Sequence, residues 1–291
     1  MQRKRRFEKR LRPVDCSVTS SRRRASPLEK IAVIGCGAVA NYAAEHLGDS
    51  ARITVAVIEP GWEDRAREVF GDDVAIVHSV GELAELPDAV FDCAGHGALR
   101  QHGEQVLRSG IDLISVSSGA LADQVLFDNL MSAAQDGGAQ LKVVSGAIGA
   151  LDALSAASIG GLDSVVYRGR KPPQGWIGSP AEDKLELASL AEPAVHFAGS
   201  ARDAALQYPQ NANVAASVAL AGIGFDETSA ELIADPGVSE NIHEVIAEGA
   251  FGHFEFRISG RPLPGNPKSS ALTAMSVVRE SRNRVAPLSI R

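Results

Sequence analysis

Short apolar runs alternate with amphipathic stretches over the first half of the chain. Residues 31–34 and 53–58 are apolar on both faces, which is typical of strands buried inside a parallel sheet. Helical spacing of apolar residues follows each run, first over 38–47 and then over 63–70. Further strands are predicted at 74–78, 89–95 and 111–117, with helices at 99–109 and 123–135, and residues 141–158 are predicted to form a strand, a turn and a helix. This alternation over residues 31–160 predicts an α/β fold with a doubly wound parallel sheet.

The pattern changes after residue 160. A strand predicted at 162–173 leaves the sheet, and irregular chain with a short helix around 181–191 is predicted over 174–200. A helix is then predicted within 211–224 and two alternating strands within 239–258. A loop and a last helix near 270–281 complete the pattern. We expect residues 161–268 to form a second, smaller α+β domain. Residues 269–291 are expected to form a terminal helix that returns to the first domain.

Charge is distributed unevenly along the 291 residues. Residues 1–30 carry eleven Lys or Arg and three acidic residues, whereas residues 31–291 carry eighteen basic and thirty-three acidic residues. The basic head lacks the apolar segment of a secretory signal, and we expect it to be disordered. The acidic body is unsuited to binding nucleic acid.

The sequence contains neither a membrane-spanning segment nor a cysteine motif for metal binding. No apolar run reaches the ~18–20 residues that span a bilayer, so no membrane association is expected. Three cysteines without metal-ligand spacing predict no metal site and favour a reducing cytoplasm.

A glycine motif joins the first predicted strand to the first predicted helix. Gly35 allows a tight turn, and Gly37 lacks the Cβ that would keep a pyrophosphate away from the backbone. The free N–H groups at Ala38 and Val39 then face that anion. Glu59 ends the second strand, where its carboxylate is placed to accept the ribose hydroxyls of a dinucleotide. Since this carboxylate repels a 2′-phosphate, we expect NAD to be preferred, with NADP possible.

The segment "SENIHEVIAEGAFGHFEF" places two histidines on different faces of a strand pair. His253 shares a face with charged residues and is expected to be solvated. His243 shares a face with Val245 and Ala247, so it is either a buried histidine bonded to backbone or a group that does chemistry. The residues alone leave both interpretations open. Arg168, Lys171 and Lys268 are candidate cations for binding substrate carboxylates.

Several segments, in this order, resemble the L-aspartate dehydrogenases. They are "SVSSGALAD", "SGAIGALDAL", "RKPP", "YPQNANVAA", "ENIHEVIAEGAFGHFEF" and "NPKSSALTAMS". The resemblance runs from Ile31 to about Arg279. It implies a Rossmann-type cofactor domain, a mixed-sheet substrate domain and a homodimer.

The resemblance also implies an activity and site residues. The reaction is the oxidation of L-aspartate with NAD(P) to iminoaspartate, which yields oxaloacetate and ammonia, or the reverse, and it feeds NAD biosynthesis. The family's catalytic histidine matches His243, and its cofactor contacts match Ala147 and Asn213. We therefore expect His243 to act as general acid and base, with a pKa lowered by its apolar face.

Two other functions compete with this interpretation. One is a related oxidoreductase acting on another substrate, resembling homoserine dehydrogenase or dihydrodipicolinate reductase. The other is a regulator that senses NAD without turnover and uses the basic head to bind DNA or a protein.

Overall fold

A computed structural model describes residues 28–264 and 266–289, apart from the side chains of Pro267 and Lys268. Nearly all of the predicted basic head, residues 1–27, lies outside the described residues. The remainder forms two main sheets, which correspond to the two halves of the sequence pattern.

The first half of the chain forms a six-stranded parallel sheet, as predicted. Its strands are β1 (Glu29–Ile34), β2 (Ala51–Val57), β3 (Ala75–Val77), β4 (Ala89–Asp92), β5 (Asp112–Ser115) and β6 (Leu141–Val143), in the order β3-β2-β1-β4-β5-β6. Its helices are α1 (Ala38–His46), α2 (Glu63–Phe70), α3 (His96–Arg108), α4 (Gln124–Gly137) and α5 (Leu151–Gly160). The strand order reverses between β1 and β4, and such a reversal opens a ligand crevice at the carboxyl ends of the strands.

Strand β1 shows why its sequence is a continuous apolar run. Ala32 and Ile34 face a core shared with α3, whereas Ile31 and Val33 face a core shared with α1. Both faces are buried, so no position on the strand favours a polar residue. The strand begins at Glu29, two residues before the predicted start of the domain.

The second half forms a five-stranded mixed sheet. Its strands are β7 (Leu162–Lys171), β8 (Ala194–Ser200), β9 (Ser229–Ala234), β10 (Asn241–Gly249) and β11 (Gly252–Gly260), in the order β11-β10-β7-β9-β8. Two helices, α6 (Ala201–Gln207) and α7 (Asn213–Ala221), cover one face of it. The division at residues 160 and 268 stays a prediction, while the second sheet itself spans residues 162–260.

The predicted faces of the hairpin β10–β11 are confirmed. His243, Val245 and Ala247 are buried on one face of β10, and His253 is exposed on β11. The sheet places β10 between β11 and β7, so the buried face of β10 is continuous with that of its neighbour β7.

The prediction for residues 174–200 was partly wrong. The expected α-helix around 181–191 is replaced by turns and one short 3₁₀ segment, Leu187–Ser189. Helix-forming residues do occur there, but few of their side chains are buried, and tertiary packing decides the conformation of so short a segment. Strand β8 was missed because a register shift between Val195 and Phe197 interrupts its alternation.

Smaller elements also escaped the sequence pattern. Strand β9 and helix α6 were not predicted, and the loop after β11 contains a short antiparallel pair, β12 (Pro262–Leu263) and β13 (Asn266–Ser270). The sequence predicts a solvated His102 on the helix at 99–109, but this residue is only 6% exposed, because α3 turns it toward the first sheet.

The last helix returns to the first sheet, as expected. Helix α8 (Ala271–Val285) packs Ala274, Val277 and Val278 against the core around α1. The chain therefore crosses from the second sheet back to the first just before α8. Within the described residues, no helix is both long and apolar enough to cross a bilayer.

Candidate active site

The glycine turn after β1 adopts a conformation that requires its first glycine. Gly35 has φ of 91°, and a Cβ there would lie 2.7 Å from the Cβ of Ala94. Gly37 precedes α1, and a Cβ on it would meet no atom within 4 Å. The turn therefore presents open backbone and the first N–H groups of α1, at Ala38 and Val39, which have no carbonyl partner in a preceding helical turn. This arrangement suits an anion.

A groove of about 390 Å³ begins at this turn. Gly35, Gly37 and Glu59 line it together with Arg65 and His102. Glu59 follows the end of β2 and is exposed to the groove. The shape and chemistry fit a dinucleotide, with its pyrophosphate at the glycine turn and a ribose at the carboxylate.

A second cavity, of about 290 Å³, adjoins this groove. The two share Cys93 and Ala94, at the carboxyl end of β4. The cavity brings together predicted residues from distant parts of the chain, namely Val39, Ala147, Lys171, Asn213 and His243. Its polar lining also includes Asn211, Asn241, Ser269, Ser270 and Thr273. Its position at the strand-order reversal is where a reacting group beside a nucleotide is expected.

His243 has one ring nitrogen bonded and one without a protein partner. Its Nδ1 lies 2.8 Å from Oη of Tyr167, and Nε2 has no hydrogen-bond partner among the described residues. The side chain is 4% exposed and lines the cavity. Desolvation, with a smaller contribution from the positive charge of Lys171, lowers the pKa of His243 to about 3. The ring is therefore neutral, as the sequence predicts, and the lone pair of Nε2 is available as a hydrogen-bond acceptor.

Lys171 brings a desolvated cation into the same cavity. Its Nζ donates to Oδ1 of Asn211 at 2.7 Å and lies 4.8 Å from the ring centre of Trp176. The indole is itself fixed, because it is fully buried and its Nε1 donates to the carbonyl of Ile233. Burial lowers the pKa of Lys171 to about 8. Lys171 is thus positioned to bind a carboxylate.

Asn213 is the first residue of α7, and its side chain accepts hydrogen bonds from two residues in the first half of the chain. Its Oδ1 lies 2.9 Å from the backbone nitrogen of Gly119 and 2.8 Å from Nε2 of His96. Ala147 lies in the turn between β6 and α5, where Gly146 and Ala150 both have positive φ. The amide of Asn213 and the turn of Ala147 line the cavity together.

Two of the three predicted cations are not among the described side chains of the cavity. Arg168 lies on the opposite face of β7 from Tyr167, and its Nε donates to Glu231 at 2.7 Å. The prediction for Arg168 was wrong because side chains alternate along a strand, which directs Arg168 away from the face that carries Tyr167 and His243. Lys268 lies on β13 next to Ser269, and its side chain is outside the described residues.

A buried carboxylate at the end of β4 was also missed. Asp92 is fully buried and accepts hydrogen bonds from the hydroxyls of Ser115 and Ser117, each at 2.7 Å. Burial raises its pKa, and the two hydroxyl bonds oppose that change. The cluster supports the loop between β4 and α3 through a bond from the backbone nitrogen of Ala94. The sequence signal for this buried carboxylate was the acidic residue at the end of the apolar strand "AVFD".

Known families and proteins resemble this chain over nearly all of its described length. The family "Aspartate dehydrogenase, C-terminal" matches residues 152–284, and "Homoserine dehydrogenase, NAD binding domain" matches residues 35–143. An L-aspartate dehydrogenase of Ruegeria pomeroyi is 53% identical over 89% of this chain and 94% of its own length. The L-aspartate dehydrogenase of Pseudomonas aeruginosa is 47% identical over 89% of this chain and 99% of its own length.

A solved structure gives the same result for the fold. The crystal structure of aspartate dehydrogenase from Thermotoga maritima superposes with a TM-score of 0.70 at 26% identity, and the match covers 90% of this chain and 99% of that one. An amine dehydrogenase from Mycobacterium smegmatis shares the fold with a TM-score of 0.52 at 13% identity, over 89% and 92% of the two chains.

Proposed function

The chain belongs to the L-aspartate dehydrogenase family, and from this premise we propose that it oxidises L-aspartate with NAD(P), with His243 as the acid and base. It is an NAD(P)-dependent oxidoreductase of a Rossmann-type fold. The overall reaction consumes L-aspartate, oxidised cofactor and water, and it yields oxaloacetate, ammonium, reduced cofactor and a proton. The observation that carries the assignment of His243 is the pairing of a neutral imidazole with the cation of Lys171 in one cavity beside the dinucleotide groove.

The groove at the glycine turn holds the cofactor in this proposal. Gly35 and Gly37 give the pyrophosphate access to the N–H groups of Ala38 and Val39. Glu59 accepts the ribose hydroxyls at the end of β2, which favours NAD over NADP. When bound, the cofactor accepts a hydride from the substrate Cα.

Lys171 binds a carboxylate of the substrate. A cation is expected here because L-aspartate and oxaloacetate each carry two carboxylates. Asn211 holds the ammonium group toward the cavity through its bond at 2.7 Å. Lys268 remains a second candidate from the sequence. Arg168, paired with Glu231 on the other face of the sheet, is no longer part of the proposal.

His243 handles the protons of the hydrolytic half of the reaction. Loss of hydride from Cα leaves an iminium carbon, which water attacks to form a carbinolamine. Nε2 of His243 takes the proton of that water, while Nδ1–H donates to Oη of Tyr167. The ring returns that proton to the amine. As the carbon–nitrogen bond breaks and ammonia leaves, the carbinolamine hydroxyl becomes the ketone oxygen, and its proton passes to Nε2 and then to the ammonia. Because Nδ1 carries a hydrogen whether or not Nε2 is protonated, Oη of Tyr167 accepts the same hydrogen bond in both protonation states of the ring.

Two further parts of the proposal rest on the resemblance to the family, namely assembly as a homodimer and supply of iminoaspartate to NAD biosynthesis. Location in the cytoplasm rests instead on the three cysteines, whose odd number argues against a disulfide framework. Size-exclusion chromatography with light scattering tests the homodimer directly.

A related oxidoreductase acting on homoserine is the second candidate. The observation that favours it is the match of residues 35–143 to the NAD-binding domain of homoserine dehydrogenase. About half of the residues that line the substrate cavity, however, including Lys171, Asn213 and His243, lie within residues 152–284, which match the aspartate dehydrogenase family.

A substrate panel tests the proposed function. NAD reduction by the purified chain is measured with L-aspartate, L-glutamate, L-homoserine and L-malate at equal concentrations. The proposal predicts turnover with L-aspartate at least tenfold above the others. Preference for L-homoserine supports the second candidate, and tight NADH binding without turnover supports a regulator. Deletion of residues 1–27 leaves activity unchanged in an enzyme and removes partner binding in a regulator.

A further inference from the structure

The orientation of the Asn213 amide is fixed by two neighbours in the first half of the chain. The backbone nitrogen of Gly119 can only donate a hydrogen bond, so the amide atom 2.9 Å away is the oxygen Oδ1. Exchanging Oδ1 and Nδ2 would bring two donors together. The nitrogen Nδ2 is therefore on the other side of the amide.

This orientation also determines the proton position on His96. Nε2 of His96 lies 2.8 Å from the same Oδ1, and an oxygen of this kind only accepts. Nε2 therefore carries a hydrogen and donates it. The ring reaches this position because Gly95, with φ of 94°, turns the chain directly before α3.

His96 contacts the side chain of Asn213, whereas other residues hold the backbone of Asn213 in place. Ser118 donates to the backbone carbonyl of Asn213 at 2.7 Å, and Ser217 donates to Ser118 at 3.0 Å, so the backbone is held independently. A Cβ on Gly119 would lie 2.6 Å from Oδ1 of Asn213 and 2.8 Å from Cε1 of His96. His96, Gly119 and Asn213 thus form a close-packed group at the carboxyl ends of β4 and β5.

The free side of the amide faces the cavity as a donor. Asn213 lines the cavity, and its Nδ2 has no hydrogen-bond partner among the described residues and is not sealed from solvent. A ligand at this point must offer an acceptor. The nicotinamide carboxamide offers one acceptor, its carbonyl oxygen, and one donor, its NH₂ group.

We propose that His96 is a positioning residue that fixes the Asn213 amide so that Nδ2 donates to the carbonyl oxygen of the nicotinamide carboxamide. The inference rests on the proposed function insofar as it places the nicotinamide in this cavity. It assigns a role to a histidine that touches neither the substrate nor the reacting carbon. His96 thereby affects the affinity for the cofactor and the orientation of the nicotinamide ring.

Cofactor binding measured without turnover tests the inference. Calorimetry gives the Kd for NADH and for its thionicotinamide analogue, in which a weakly accepting sulfur replaces the carbonyl oxygen. His96→Ala is expected to weaken NADH binding roughly 3- to 10-fold, the value of one hydrogen bond, and to change analogue binding less than twofold. His96→Gln, which keeps an N–H donor, is expected to restore NADH binding. His253→Ala, an exposed histidine on β11, is the matched control.

A second variant keeps the test decisive if His96→Ala unfolds. Asn213→Asp retains an oxygen for Gly119 and His96 but replaces Nδ2 by a second acceptor. It is expected to weaken NADH binding more than analogue binding, with the midpoint of thermal unfolding near that of the wild type.

Two results would overturn the inference. One is an equal loss of affinity for NADH and the analogue in His96→Ala. The other is a raised KM for L-aspartate with unchanged NADH affinity in His96→Ala, which would indicate that Asn213 binds the substrate. If the wild-type protein binds no NADH, the proposed function itself fails, and this outcome is recognised before any variant is measured.

Discussion

Nδ1 of His243 and Oη of Tyr167 lie 2.8 Å apart, although 75 residues separate them in the chain. The two residues come from neighbouring strands, β10 and β7, and both side chains are buried. Without a partner, Nδ1 would be a buried polar atom, which costs about 1–3 kcal/mol. The phenol therefore fixes the ring of His243, whose Nε2 has no hydrogen-bond partner among the described residues. Burial raises the pKa of Tyr167, so its hydroxyl stays protonated.

Tyr167→Phe tests this pairing. The variant keeps the ring volume and removes only the hydroxyl, so we expect kcat to fall roughly 5- to 150-fold, which corresponds to about 1–3 kcal/mol. The Kd for NADH is expected to stay within twofold. Steady-state kinetics and NADH fluorescence measure the two quantities. Unchanged kcat would show that the hydroxyl has no part in orienting His243.

Substrate binding should depend on the charge of Lys171. Its pKa is lowered to about 8, so the side chain is cationic below that pH and loses its charge above it. The KM for oxaloacetate is therefore expected to rise as the pH increases from about 8 to 10. Lys171→Gln is expected to raise KM roughly 10- to 150-fold at pH 7, the value of a hydrogen bond to a charged group.

Lys171→Arg is the matched control for the pH effect. A guanidinium stays charged throughout this range, so its KM should not rise between pH 8 and 10. The same rise in Lys171→Arg as in the wild type would assign the titration to another group.

Glu59 is expected to set the preference between the two cofactors. Its carboxylate lines the groove where the ribose lies, and it repels a 2′-phosphate by about 1 kcal/mol at ~4 Å even in water. Glu59→Gln should raise the ratio of kcat/KM for NADP to that for NAD by roughly 5-fold or more. Glu63→Gln makes the same change of charge outside the groove and should leave the ratio unchanged. An unaltered ratio in Glu59→Gln would place the ribose elsewhere.

Arg284 should contribute to stability rather than to catalysis. From α8 it donates to Asp112 at 2.7 Å and also to Glu29, both of which are largely buried. Arg284→Met leaves Glu29 without a cation and Asp112 with Lys142 alone, which is expected to lower the free energy of unfolding by about 3 kcal/mol. Urea denaturation measures the change, with the exposed Arg282→Met as control. Equal midpoints for the two variants would contradict the prediction.

Local patterns in the sequence predicted those parts of the site that depend on local structure. Gly35 and Gly37 are recognisable because a strand, a tight turn and a helix follow one another within a few residues. The buried face of His243 is recognisable because strand alternation has a period of two. The role of His243 came from the resemblance to the family, since burial alone also fits a histidine bonded to backbone.

Parts of the site that depend on strand register could not be predicted. The pairing of β10 with β7 decides that Tyr167 meets His243, and the same alternation turns Arg168 away. Which residues of two strands lie opposite depends on packing across the whole sheet, which a single strand's pattern does not contain. His96 was missed as a partner of Asn213 for the same reason, because 116 residues lie between them in the chain.

The most direct test of the central claim is NADH oxidation by wild type and His243→Ala with oxaloacetate and ammonium. We expect wild-type turnover to require ammonium and to fall roughly 10²- to 10⁴-fold in the variant, with NADH affinity nearly unchanged. Turnover without ammonium would indicate a ketoacid reductase. Wild-type rates in His243→Ala, or an equal loss of activity and NADH binding, would contradict the assignment of His243 as the acid and base.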